Sequence, residues 1–123
     1  MRMLYVAAGT ALLAMTGAAQ AQSGLSSEYE ACMARAGTKV VQTGICAQKE
    51  IGAQDGRLNK AYRQVMQQLQ SDPARRSALR DRQRAWLKAR DYACDIDGGT
   101  FDMNCVVERT AKRADELERM IRF

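Results

Sequence analysis

Residues 51–94 read IGAQDGRLNKAYRQVMQQLQSDPARRSALRDRQRAWLKARDYAC, two helical patterns interrupted once at Ser71-Asp72-Pro73. Before the break, Ile51, Leu58, Tyr62, Val65 and Leu69 recur at spacings of 7, 4, 3 and 4. That periodicity puts them on one stripe of a helix running from about Thr43 to Gln70. Asp55 fills the gap in the repeat, a charge where an apolar residue is expected. At the break, Asp72 is suited to cap a new helix and Pro73 to its first position. The second helix runs from Pro73 to about Cys94, with Leu79, Gln83, Trp86, Arg90 and Ala93 turned inward.

The connection between the two patterns is short, so the helices must run antiparallel. Folding the chain there brings Asp55 level with Arg90 to within about two residues, roughly 3 Å of helix rise. Both lie on inward stripes, which predicts a partly buried ion pair. Reading this Asp as a catalytic carboxylate fails, because no second carboxylate shares its face. Downstream, Asp97-Gly98-Gly99 marks a loop. A third helix follows from Phe101 or Asp102 to Ile121, on a seam of Val107, Thr110, Ala114, Leu117 and Ile121. Upstream, Glu28 to Ala36 predicts a short helix carrying Cys32 and ended by Gly37. The expected fold is all-α: an antiparallel three-helix bundle with a short N-terminal helical segment, disulfide-braced at one end.

At 123 residues the chain is one domain, and 19 basic against 14 acidic residues give a net charge of +5. Histidine is absent, which removes Ser-His-Asp and Cys-His catalysis and most zinc sites. Residues 1–21 read as a secretory signal peptide: Arg2, an apolar stretch from Leu4 to Thr16, and an A-x-A cleavage site at Ala19-Gln20-Ala21. The apolar run is too short to span a bilayer, which takes roughly 20 residues. No cysteine stands at the cleavage point to carry a lipid. The expectation is a periplasmic or secreted protein, with residues 22–28 disordered and a helical domain over 29–123.

Export decides how the cysteines read. Cys32, Cys46, Cys94 and Cys105 are separated by 14, 48 and 11 residues without a C-x-x-C knuckle. This favours two disulfides over a thiolate zinc site or a redox-active thiol. The antiparallel fold gathers all four sulfurs at one pole. The sequence leaves three pairings open, and local closure of 32 with 46 and 94 with 105 is the simplest topology. Each small loop would then constrain the unfolded chain by about 2–3 kcal/mol.

Asp55-x-x-Leu58-Asn59-x-x-Tyr62, then Gln83-Arg84-Ala85-Trp86-Leu87-Lys88-Ala89-Arg90-Asp91-x-x-Cys94, and then Cys105 ahead of Arg113-x-x-x-Leu117 form an ordered set. Together they resemble the lysozyme inhibitor LprI N-terminal domain family, small exported helical proteins of bacteria, over about residues 29–121. The resemblance implies lysozyme, or another envelope protein, as partner. The member that names the family is a lipoprotein, and this chain lacks the lipid-attachment cysteine, so surface anchoring does not carry over. The shared residues are mostly architectural: Asp55, Leu58, Tyr62, Trp86, Arg90 and Leu117 belong to the expected core, with Asn59 and Gln83 satisfying polar groups beside it.

Two surfaces remain as candidate binding sites. Arg76, Arg80, Arg84 and Lys88 recur every four residues as a basic ridge, with Arg75, Arg82 and Arg63 nearby. Such a ridge attracts an anionic envelope polymer or protein. Nucleic acid is excluded as partner by export and by the lack of interleaved aromatics. The second surface is the loop 95–104, with Asp95, Asp97, Asp102 and Phe101. Its D-x-D-G start resembles a calcium loop, but position 12 would be Val106, where an acidic ligand is needed. No nucleophile with a base, oxyanion loop, cofactor motif or metal cluster is present, so an enzyme is not expected. The expected function is an exported binding protein resembling lysozyme inhibitors. The alternative is an envelope module that uses the basic ridge.

Overall fold

The computed structural model describes residues 24–123; the expected signal peptide and positions 22 and 23 lie outside the described residues. Four helices follow one another: α1 (Ser27–Ala36), α2 (Val40–Gln68), α3 (Pro73–Cys94) and α4 (Met103–Met120). Three carry an N-cap that accepts from a backbone N–H of the first turn, which would otherwise lack a partner. The Ser26 hydroxyl accepts from Tyr29 N at 3.0 Å, and Asp72 from Arg75 N at 3.1 Å. Asp102 accepts from Asn104 N and Cys105 N. Pro73 occupies the first turn of α3, as its fixed φ favours. Gly37, with φ 58°, ends α1 in a conformation that L side chains rarely adopt.

The long helix α2 organises the bundle. α4 packs along it, α1 folds back onto it, and α3 packs on α4. The bundle has two apolar clusters. One joins Leu58, Ala61, Val65 and Met66 of α2 to Leu79, Ala114 and Leu117, with Tyr62, Trp86 and Leu69 packed against it. The other joins Tyr29 and Ala36 of α1 to Cys46, Ala47 and Val107. Both disulfides form at that second end, Cys32–Cys46 and Cys94–Cys105, with Cα separations of 5.7 and 5.5 Å. These are the locally closed pairings.

The expected Asp55–Arg90 ion pair does not form. The buried face of α2 runs through Ala47, Glu50, Gln54, Leu58, Ala61 and Val65, and Asp55 is half-buried on its flank. The partner that covers this face is α4, whereas α3 meets α4 rather than lying along α2. Arg90 therefore pairs with Asp91 at 3.0 Å, donates to the Thr110 hydroxyl at 3.3 Å and lies 5.4 Å over the Trp86 ring. Asn59, expected beside the seam, is exposed, whereas Gln83 is buried and accepts from Arg113 Nε at 3.0 Å. Ala93 is also exposed, and Cys94, four residues after Arg90, is the buried residue at the end of α3.

The expected disorder over 22–28 is corrected from Gly24 onward, because polar residues of the α2 seam hold this stretch. Gln54 Nε2 and Arg57 Nη1 donate to the Gly24 carbonyl at 2.9 and 3.1 Å. Ser26 donates through its N–H and its hydroxyl to Glu50 at 2.7 and 2.8 Å. A Cβ at position 24 would overlap the Arg57 guanidinium and displace it from this carbonyl. Arg57 goes on to bridge Asp115 at 2.6 Å and Glu118 at 2.9 Å on α4. Burial alone would lower its pKa; the Glu118 and Asp115 carboxylates that accept its hydrogen bonds outweigh burial and raise it.

Asp55→Ala should therefore change unfolding free energy by less than about 0.5 kcal/mol. Arg57→Ala strips a donor from Gly24 and the cation from two carboxylates, and should cost about 1–3 kcal/mol. Urea titration of the oxidised proteins checks both, and an Asp55 cost equal to that of Arg57 would contradict this register.

Candidate functional site

The loop between α3 and α4 is built by its own acids. Asp95 Oδ1 accepts from Asp97 N at 3.0 Å and Gly99 N at 3.1 Å, closing the turn on its own backbone. Gly98 and Gly99 take φ of 52° and 127°, which lets the chain reverse there. Ile96 N donates to Thr100 O at 2.7 Å and Asp102 N to Cys94 O at 2.9 Å, so Asp95 and Phe101 face each other across a short antiparallel bridge. The Cys94–Cys105 bond closes the base. Of the three acids expected to meet a partner, Asp95 and Asp102 are used as backbone acceptors, one within the turn and one as the cap of α4. Asp97 alone is an exposed carboxylate whose side chain takes no hydrogen bond among the described residues.

Asn104 ties this loop to the rest of the pole, a role that its position in a polar stretch did not reveal. Its amide Nδ2 donates to the Tyr29 hydroxyl at 3.0 Å and to the Thr43 carbonyl at 3.1 Å, joining α4 to α1 and α2. Burial pushes the Tyr29 phenol above its ordinary pKa; the Asn104 bond partly offsets this, and the Glu108, Glu50 and Asp102 carboxylates add to it. The phenol is thus neutral at physiological pH and remains an acceptor for the amide.

Against this braced loop the start of α2 presents an apolar face. Val40, Val41 and Ile45 are 82%, 72% and 46% exposed, and Ile96 and Phe101 are 68% and 40% exposed. They converge, with Met33 and Met103, on one groove of about 660 Å³. Lone exposed apolar side chains are ordinary on a soluble domain, but a contiguous group on one face marks an interaction surface. Of these residues, only Phe101 stood out in the sequence. Val40 and Val41 were missed because α2 starts three residues before its expected N-terminus, and Ile45 because it lies off the apolar stripe.

The basic ridge is a separate surface. Arg80, Arg84 and Lys88 are exposed and Arg76 is half-buried. None of the four makes a salt bridge or side-chain hydrogen bond among the described residues. Arg76 and Cys94 stand at opposite ends of α3, about 27 Å apart along the helix, so ridge and loop are not one site. Among the described residues no group of His, Cys, Asp or Glu is placed to hold a metal ion. No described helix is long and apolar enough to cross a membrane.

Over residues 32–117 the chain matches the family described as Lysozyme inhibitor LprI. It is also 33% identical, over a 97-residue alignment, to an uncharacterized protein of Rhizobium meliloti (strain 1021), covering 63% of this chain and 70% of the relative. No solved structure matches.

Removing the Asn104 amide should loosen the pole. Asn104→Ala removes the donor shared by the Tyr29 hydroxyl and the Thr43 carbonyl and is expected to cost about 1–3 kcal/mol. Denaturant unfolding of the oxidised variant measures this, and a loss below about 0.5 kcal/mol would show that the amide does not tie the three helices together.

Proposed function

This chain belongs to the lysozyme inhibitor LprI family, and on that premise we propose that it is an exported, non-enzymatic binding protein that inhibits lysozyme through its disulfide-braced pole. The observation that carries this reading is the convergence of Val40, Val41, Ile45, Ile96 and Phe101, all exposed, on a single groove. A face of this kind gains from docking because its apolar surface leaves water, at roughly 25 cal/mol per Å² buried.

Bracing matters as much as area. Two disulfides, the Asp95 turn and the Asn104 tie hold the groove walls before any partner arrives. Little ordering entropy is left to lose on binding. The disulfides also suit an oxidising compartment such as the periplasm, in agreement with the secretory reading of residues 1–21. Charge contributes locally rather than globally. Common animal lysozymes are strongly basic, so a net positive chain gains no long-range steering toward them, and Asp97, which follows Ile96 in the loop, supplies the local complement.

The test is lysis of a cell-wall substrate by chicken-type lysozyme, titrated with the oxidised protein. Stoichiometric inhibition is expected. Ile45→Asp and Phe101→Ala should weaken it by about 10- to 100-fold, as for anchors at the centre of an interface. Arg80→Glu combined with Arg84→Glu should leave it intact. An unaffected Ile45→Asp variant, or no inhibition at large excess, would refute the assignment.

A further inference from the structure

The charge of this protein is concentrated on one helix. α3 carries seven basic residues and two acidic ones, a net +5 equal to that of the whole chain. The remaining residues hold twelve of each sign. The other partly buried arginines are engaged: Arg57 with Asp115 and Glu118, Arg113 with Glu116 and Gln83, and on α3 itself Arg90 with Asp91 and Thr110. On α3, Arg76, Arg80, Arg84 and Lys88 follow one another one turn apart with no carboxylate partner among the described residues. Arg76 Nε is moreover buried without a hydrogen-bond acceptor. Like charges one turn apart weaken a helix. Only Leu79, Gln83 and Cys94 of α3 are buried, so packing leaves most of this helix surface exposed.

We propose that this ridge is a second binding surface, independent of the pole, and that it takes a flexible, linear acidic glycan. The shape of the ridge selects that occupant. Each step of four residues rises about 6 Å and turns about 40° around the helix, since 3.6 residues complete a turn. From Arg76 to Lys88 the charges therefore climb about 18 Å while swinging through roughly 120°. A flat bilayer meets only part of such a path at once, whereas a flexible chain follows it. A surface-bound helix also needs an apolar face to insert. The exposed large apolar residues of α3, Leu87 and Tyr92, lie five residues apart and so on different sides of the helix. The two disulfides belong to an oxidising compartment, where acidic polysaccharides rather than nucleic acids are the abundant flexible polyanions.

Calorimetric titration of the oxidised protein with oligogalacturonate and with a heparin oligosaccharide tests this, alongside phosphatidylglycerol vesicles and single-stranded oligonucleotide. Both glycans should bind, with affinity falling linearly on a log–log plot against salt as counterions are released. Arg80→Glu with Arg84→Glu removes two of four contacts and should about halve that slope. The variant should remain folded, because the new carboxylate at position 84 lies one turn before Lys88 in the favourable orientation. Ile45→Asp should leave glycan binding unchanged, which separates this surface from the lysozyme reading. No glycan binding at low salt, an unchanged slope in the double variant, or tighter binding to the vesicles or the oligonucleotide would overturn the proposal.

Discussion

The Cys94–Cys105 bond is the constraint on which the pole depends. It fixes the last residue of α3 to the first turn of α4, the helix that covers the buried face of α2. α3 buries few residues of its own: Leu79 packs with Ala114 and Leu117 of α4, and polar ties run from Arg90 to Thr110 and from Arg113 to Gln83. Without the covalent link, the loop 95–102 would join two helices held by a narrow seam. With it, the loop is short, closed and supported from beneath by Asn104. Cys32–Cys46 does the same for α1, so the pole is stapled on both sides.

A stapled pole and a loosely packed, charge-rich helix suit two kinds of recognition. The groove beside the loop is apolar and preorganised, which favours a shaped protein partner at low ordering cost. The outer face of α3 offers charge without a pocket, which favours a polymer that adapts to it. The two surfaces lie at different places on the molecule and respond differently to salt, because apolar burial is insensitive to the screening that weakens exposed charge pairs.

The sequence made the framework legible and misplaced one seam. The Ser71-Asp72-Pro73 break, the α3 limits and the α4 stripe all follow from local signals, capping and period, that tertiary context did not override. The α2 seam failed because two of its buried positions, Glu50 and Gln54, are polar. They hold Ser26 and Gly24, contacts 24 and 30 residues away that periodicity cannot express. Taking the apolar stripe at face value shifted the seam by one residue and pulled Asp55 inward, which then seemed to require Arg90. The acids of the loop were visible, but not that Asp95 and Asp102 bind backbone, since the same residue types serve caps and interfaces alike. The apolar groove was largely illegible for a related reason: Val40, Val41 and Ile96 show no pattern until the fold brings them together.

Whether the braced pole is the working face is decided by hydrogen exchange of the oxidised protein with and without chicken-type lysozyme. Slowed exchange is expected at the start of α2, residues 40–45, and across the loop 95–103, with the Arg80–Lys88 stretch of α3 unchanged. Protection along α3 instead, or none at the pole under saturating lysozyme, would contradict it.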